Sequence, residues 1–195
     1  IKLNTTLTEG AQIILSVVII NQITNSYFNP SNGHVYKFVS GQTTFVNARA
    51  SALVSTYEGV SGYLVTITSA KEQAFINSKI SANNIWTGLS DEGSEGVYKW
   101  LDGPEAGTTI RSTSGNVAGQ YNNWCNNEPN DHSTGEDYMV TRWNGGNCWN
   151  DFGPPAYPNN SSIGGYLIEY GDWSDPTNST FSSTVNTQIT FTQVK

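Results

Sequence analysis

The spacing of apolar positions changes character along the chain. The run Ile13-Ile14-Leu15-Ser16-Val17-Val18-Ile19-Ile20 is dominated by β-branched residues, whose Cβ branching restricts χ1 in a helix and suits a pleated surface. It predicts a buried strand. Asn29-Pro30-Ser31-Asn32-Gly33 then punctuates the chain, and His34 to Val39 opens a second strand. From Thr44 the period switches: Phe45, Ala48, Ala52 and Leu53 recur at helical spacing, with Thr44 as N-cap. After a strand over Tyr63 to Ile67, Ser69-Ala70-Lys71-Glu72 reads as a capping box, opening a second helix with Ile76 and Ile80 one turn apart.

Beyond residue 81 no further long helix is readable. Trp86 to Leu89 and Tyr98 to Leu101 predict short strands, Gly103 to Gln120 is turn-rich, and Asn122 to Asn160 is dense in Asn, Gly, Pro and acids. A stretch of that composition stays disordered unless something holds it. Gly164 to Tyr170 predicts a closing strand, and Ile189 and Phe191 alternate with polar residues in the tail. The expected organisation is α+β: an N-terminal β extension over 1–28, a central domain over 29–171, and a C-terminal β extension over 172–195. The two extensions are expected to pair, since each carries an apolar face that needs burial.

Composition narrows the partners. The 195 residues carry 9 Lys and Arg against 16 Asp and Glu, a net charge of −7, which repels a phosphate backbone and argues against nucleic acid. Only 13% of residues are charged, while 12% are aromatic and 19 are glycine, a balance that favours strands and ordered loops. The apolar run at 13–20 falls far short of the ~20 residues of a membrane span. The sequence begins at Ile1 without a Met, a basic segment or a cleavage site, so a piece of a longer chain is expected. Cys125 and Cys148 lie beside polar turn residues, which suits one disulfide in an oxidising compartment, with two buried thiols as the alternative.

Acid placement carries the chemistry. Ten of the 16 carboxylates (Asp91, Glu92, Glu95, Asp102, Glu105, Glu128, Asp131, Glu136, Asp137, Asp151) fall between residues 91 and 151, accompanied only by Lys99, Arg111 and Arg142. Folding that stretch compactly crowds like charges unless a cation intervenes. Calcium takes six to eight hard oxygens, and Asn130 and Asn150 add neutral ones. Zinc is disfavoured, because His34 and His132 are far apart and Cys125 and Cys148 lack close pairing. No Ser, Cys or Lys has a plausible base, so an enzyme is not expected.

From His34 to Tyr170 the chain resembles the C-type lectin-like domain. The markers, in order, are Phe45-Val46-Asn47-Ala48-Arg49-Ala50, Leu64-Val65-Thr66-Ile67, Trp86-Thr87-Gly88-Leu89, Lys99-Trp100-Leu101-Asp102-Gly103, Tyr121-Asn122-Asn123-Trp124, Glu128-Pro129-Asn130, Gly135-Glu136-Asp137 and Trp149-Asn150-Asp151. The resemblance implies two helices, two small antiparallel sheets and a long calcium-binding loop. It makes Glu128, Asn130, Glu136, Asn150 and Asp151 the ligands of a sugar-binding calcium, with Glu128-Pro129 in cis. It makes Asp91, Glu95, Asp131, Glu136 and Asp137 an auxiliary calcium site, so two or more calcium ions are implied. The E-P-N form is similar to sites for mannose, fucose, glucose and N-acetylglucosamine, whereas galactose sites usually read Q-P-D. Trp143, His132 and Tyr157 are candidates to line the sugar. The expected partners are extracellular or cell-surface glycans, bound by a monomeric module of a longer secreted chain. A lectin-like protein- or ice-binding domain with purely structural calcium is the alternative.

Departures from that pattern are informative. Ala52, Ile168 and Tyr138 stand where the family places cysteines, so both standard bridges are lost. Ala52 and Ile168 are expected to keep the contact as apolar packing, while a Cys125 to Cys148 bridge staples the long loop instead. The Gly103 to Gln120 connection is long, and Phe152 to Gly164 is an insertion. Such departures resemble lectin modules of large bacterial surface adhesins.

Overall fold

The computed structural model describes residues 25–132, 135–153 and 162–171. The expected terminal strands at 13–20 and 184–194, and Tyr157 in the insertion, lie outside the described residues. Two helices are present, as expected. Helix α1 spans Phe45–Leu53, capped by the Thr44 hydroxyl, which accepts from the Asn47 amide at 3.2 Å. Its inner face is Phe45, Ala48 and Ala52, all buried. Leu53, expected on that face, is 46% exposed, because the helix ends there and the chain turns away into a hairpin. Helix α2 spans Ala70–Lys79, and the Ser69 side chain accepts from the Glu72 amide at 3.2 Å. The other half of the expected capping box does not form. The Glu72 carboxylate accepts instead from the Thr68 amide at 2.7 Å and from the Tyr36 hydroxyl at 2.5 Å, since burial among those donors satisfies it better than the cap position.

The strands are β1 (Ser26–Phe28), β2 (Val35–Ser40), β3 (Thr56–Tyr57), β4 (Val60–Ser61), β5 (Tyr63–Leu64), β6 (Ile85–Ser90), β7 (Lys99–Trp100), β8 (Arg111–Ser112), β9 (Gly115–Asn116), β10 (Tyr138–Thr141), β11 (Trp149–Phe152) and β12 (Gly165–Tyr170). Two small antiparallel sheets, β3–β4 and β8–β9, sit beside a larger one ordered β1-β2-β12-β6-β10-β11, to which β5 and β7 add through β12 and β6. Pairing is antiparallel throughout the larger sheet except for β12 with β6. The chain before Asn29 already belongs to this sheet, as β1 pairs with β2 from Ser26 onward. The loop-like stretch after Asn122 holds the β10–β11 hairpin. Every residue of both strands is buried, polar ones included, so the alternation that announces a half-exposed strand is missing from the sequence.

Gly88 shows why Trp86-Thr87-Gly88-Leu89 needs a glycine. A Cβ there would meet the Leu64 carbonyl oxygen at 2.7 Å, and the close approach lets the Gly88 amide donate to the Val65 carbonyl at 2.9 Å. The core on one side gathers Phe45, Ala48, Ala52, Trp86, Tyr138, Phe152 and Ile168. Ala52 and Ile168 thus share one apolar cluster, as expected of residues replacing a bridge. Tyr138 stacks on Phe45 with centroids 3.9 Å apart and meets Trp86 edge-on. The second cluster holds Ile76, Trp100, Met139, Trp149 and Leu167, with Trp124 packed against it. None of the helices among the described residues is long and apolar enough to cross a membrane.

Candidate metal and ligand site

The long loop is fastened to β11 from both ends of its ligand run. Cys125 and Cys148 form a disulfide with Cα atoms 5.0 Å apart. Beside it the Cys125 amide donates to the Trp149 carbonyl at 2.9 Å, and the Trp149 amide donates to the Asn123 carbonyl at 2.9 Å. These bonds place Glu128, three residues past Cys125, next to Asn150 and Asp151. Glu128-Pro129 is cis, and Asn127 and Asp131 flank it in the left-handed region, with φ of 69° and 47°. Asn and Asp enter that region more readily than other non-glycine residues.

Asp151 anchors the turn. Its side chain is fully buried, and Oδ2 accepts from the backbone amides of Asn130 at 2.9 Å and Asp131 at 2.7 Å. The Asp131 carboxylate in turn accepts from the amides of Gly135 at 2.6 Å and Glu136 at 3.2 Å. Glu136 accepts from the amide of His132 at 3.1 Å. Five residues expected to face a sugar-binding cation, Glu128, Asn130, Glu136, Asn150 and Asp151, are therefore tied to one another through backbone contacts.

Their remaining oxygens are what the fold leaves unsatisfied. Glu128 Oε2, Asn150 Oδ1 and Asp151 Oδ1 are buried, and no hydrogen-bond donor reaches them among the described residues. Native interiors keep only a few such groups per hundred residues, at about 1 to 3 kcal/mol each, and three of them fall here on neighbouring positions of the loop and β11. Burial, and then the charge of Asp151, pushes the Glu136 carboxyl up to about 7. Glu128 moves in the same direction for the same reasons, and burial also raises Asp151. Upward shifts in three neighbouring carboxyls mark a cluster short of positive charge, and hard oxygens from carboxylate and amide are the donor set calcium takes. The residues fit that ion.

The expected auxiliary group is partly assembled. Asp91 is 2% exposed; Oδ2 accepts from the Gly96 amide at 2.8 Å, and Oδ1 is a fourth buried oxygen without a donor. Burial, and after it the charges of Glu95 and Asp137, pushes its carboxyl up to about 7. The Asp91 amide donates to the Asp137 carbonyl at 3.2 Å, bringing that strand end beside the loop, whereas Glu95 is exposed. Among the residues expected near a sugar, His132 is exposed at the edge of the loop. Trp143 is half-buried and packs on Phe152, centroids 5.4 Å apart.

Sequence reasoning missed a second titratable group. His34, Glu72 and Glu169 offer ligand-type atoms all within 4.8 Å of one another, away from the long loop. Glu72 reads as a cap and Glu169 as a strand residue, so only the pairing of β2 with β12, which sets Tyr36 opposite Glu169, brings them together. Among the described residues the carboxylates of the long loop form no group of three so tight. Ligands on opposite sides of a calcium ion lie about 5 Å apart, twice the 2.3–2.6 Å bond.

Two capped helices on a mixed sheet, with a stapled loop of oxygen donors at one end, define a small α+β binding domain of lectin architecture. The chain belongs to the C-type lectin domain family, whose family model, described as the lectin C-type domain, matches residues 55–153. Halomucin of Haloquadratum walsbyi is 34% identical over 140 residues, covering 72% of this chain and 1% of that protein. The mouse low affinity immunoglobulin epsilon Fc receptor is 34% identical over 116 residues, covering 60% of this chain and 29% of the receptor. The chain thus spans only a small part of the curated relatives it matches. Among solved structures, the C-type lectin CEL-I from Cucumaria echinata superposes with a TM-score of 0.58 at 25% identity, over 77% of this chain and 97% of that one. The cow CD23 carbohydrate-recognition domain, solved in the presence of a GlcNAc2Man3 oligosaccharide, gives a TM-score of 0.55 at 25% identity, over 76% and 95%.

Proposed function

We propose that the chain is a calcium-dependent carbohydrate-binding module that recognises vicinal hydroxyls of mannose- or fucose-type sugars and serves adhesion at a cell surface. One observation carries this reading: three buried oxygens of Glu128, Asn150 and Asp151, all on expected ligands, have no donor. A calcium ion held there supplies coordination positions that two neighbouring sugar hydroxyls complete. Glu128 and Glu136 accept the hydroxyl protons, and the amides of Asn130 and Asn150 donate to the hydroxyl oxygens. Acceptor and donor in the order Glu128, Asn130 suit equatorial vicinal hydroxyls. The axial hydroxyl of galactose leaves one of these groups mismatched, at about 1 to 3 kcal/mol, or roughly tenfold to a hundredfold in affinity. Asp91, with Glu95, Asp131, Glu136 and Asp137, holds an auxiliary calcium that stiffens the loop. The role is binding rather than catalysis, and the module works outside the cell as one part of a longer chain.

The test is a glycan array read in calcium and in EGTA, followed by monosaccharide competition at fixed calcium. Binding in calcium alone, with mannose or fucose competing better than galactose, is expected. Equal binding in EGTA, or equal competition by galactose, overturns the reading.

A further inference from the structure

The cluster that joins β2, α2 and β12 is a set of buried acids served by one base. Glu72 is 2% exposed, Glu169 1% and Tyr36 1%. His34 Nδ1 lies 2.5 Å from Glu169 Oε1. The Tyr36 hydroxyl, 2.5 Å from Glu72 Oε1 and 3.1 Å from Glu169 Oε1, has one proton for the two carboxylates. The same shortage recurs at Thr66, whose hydroxyl lies 2.9 Å from Glu105 Oε2 and 3.1 Å from Glu169 Oε2. Asn32 donates to Tyr36 at 2.7 Å, and the Thr66 and Thr68 amides donate to Glu169 and Glu72 at 2.9 and 2.7 Å. His34 is thus the cationic group among three carboxylates, with Tyr36 and, on the far side of α2, Tyr121 as the other titratable groups that feel Glu72.

Helix α2 carries this cluster and the back of the sugar loop on consecutive residues. Gln73, next to Glu72 and 4% exposed, accepts from the Trp149 indole at 2.5 Å and donates to the Thr141 hydroxyl at 3.1 Å. Trp149 immediately precedes Asn150. A shift of the first turn of α2 therefore reaches β11 through one side chain.

We propose that His34, Glu72 and Glu169 form a proton-operated clamp that locks α2 onto β2 and β12, and that through Gln73 the clamp sets the packing behind Asn150. Burial, and then the Glu169 charge, pushes the Glu72 carboxyl up to about 7. Burial pulls the His34 imidazole down, but its hydrogen bond to Glu169 and the charges of Glu169, Glu72 and Glu105 outweigh that, so the net shift is upward from 6.5. Both groups bind protons more tightly in the folded chain. The clamp's contribution is complete below the unfolded values of 4.5 and 6.5 and is lost as pH rises through the folded ones. Above neutrality Glu72 gives up its proton and His34 its charge, which leaves the cluster without its partner cation.

The clamp is read out in EGTA, so its failure is distinct from failure of the calcium reading. Thermal unfolding of the wild-type chain should lose several degrees of Tm between about pH 5 and pH 8.5. E72Q keeps acceptor and donor groups but cannot titrate, and should remove Glu72's share of that slope, the raised carboxyls of Asp91, Glu128 and Glu136 supplying the rest; H34Q should remove a further share above pH 6.5. The chain has two histidines, so in H132N the His34 ring is the single imidazole in a proton NMR titration. Its midpoint is expected above 6.5, moving down in E169Q. For the link through Gln73, E72Q should bind calcium severalfold more tightly than wild type at pH 8.5 and equally at pH 6. A midpoint at or below 6.5, an unchanged slope in E72Q and H34Q, or equal calcium affinities at pH 8.5 overturns the corresponding part of the proposal.

Discussion

Replacing Asp151 with asparagine separates the two duties of its carboxylate. Oδ2 holds the amides of Asn130 and Asp131 at 2.9 and 2.7 Å, while Oδ1 is buried without a donor. In D151N the amide oxygen can keep both backbone bonds, and its NH2 then occupies the orphan position, presenting a donor where a cation needs an acceptor. Without calcium, two charge-assisted bonds become neutral ones, but a buried charge that raises Glu128 and Glu136 is also removed. These effects oppose each other, so stability in EGTA should stay within about 1 kcal/mol of wild type. With calcium the two proteins should part. Binding to the native state alone adds about 2.7 kcal/mol at one hundred times Kd, which for a chain of this size is about 5 to 11 °C in Tm. Wild type should show at least that rise between EGTA and calcium by differential scanning calorimetry; D151N should lose the sugar-site share of it and keep only what an auxiliary ion adds. The reasoning fails if D151N keeps the full rise, or if it already melts several kcal/mol below wild type in EGTA.

Glu128→Gln with Asn130→Asp should weaken competition by mannose or fucose and admit galactose, measured against an immobilised glycan at fixed calcium. Opening the Cys125–Cys148 bridge, by reduction or in C125S/C148S, should lower calcium affinity at least severalfold by calorimetric titration, since the bridge holds Glu128 beside Asn150 before any ion arrives; unchanged affinity would show the backbone bonds suffice. The Glu136 carboxyl titrates near 7 without a cation and must lose its proton to serve one, so calcium affinity should fall as pH drops below about 7. Titrations at pH 7.5 and 5.5 check the sign. Thr44→Ala removes the α1 cap and should cost about 1 kcal/mol in urea unfolding.

The helices and the acidic loop were legible because each leaves a local signature. Thr44 and Ser69 cap where hydroxyls before apolar periods predict caps, and the acids of the long loop stand out for lack of neighbouring cations. Local signatures fail where tertiary pairing decides. Leu53 keeps the helical period yet faces outward, because periodicity does not mark the turn at which a helix stops packing. The β10–β11 hairpin is buried on both faces, so polar Asn150 and Asp151 look like loop residues. His34 and Glu169 lie 135 positions apart and meet only through strand register.

The way Asp151 grips the loop bears on how such a site can change over evolutionary time. Its contacts run to the main-chain amides of Asn130 and Asp131, groups that every residue except proline provides. At position 130 the identity of the side chain is therefore not written into the fastening, whereas Asp131 adds its own carboxylate, which holds the Gly135 and Glu136 amides. A lineage can exchange what stands at position 130 while the latch beneath stays shut. Change at position 130 leaves that fastening in place, whereas losing the Asp151 carboxylate removes the acceptor both amides share.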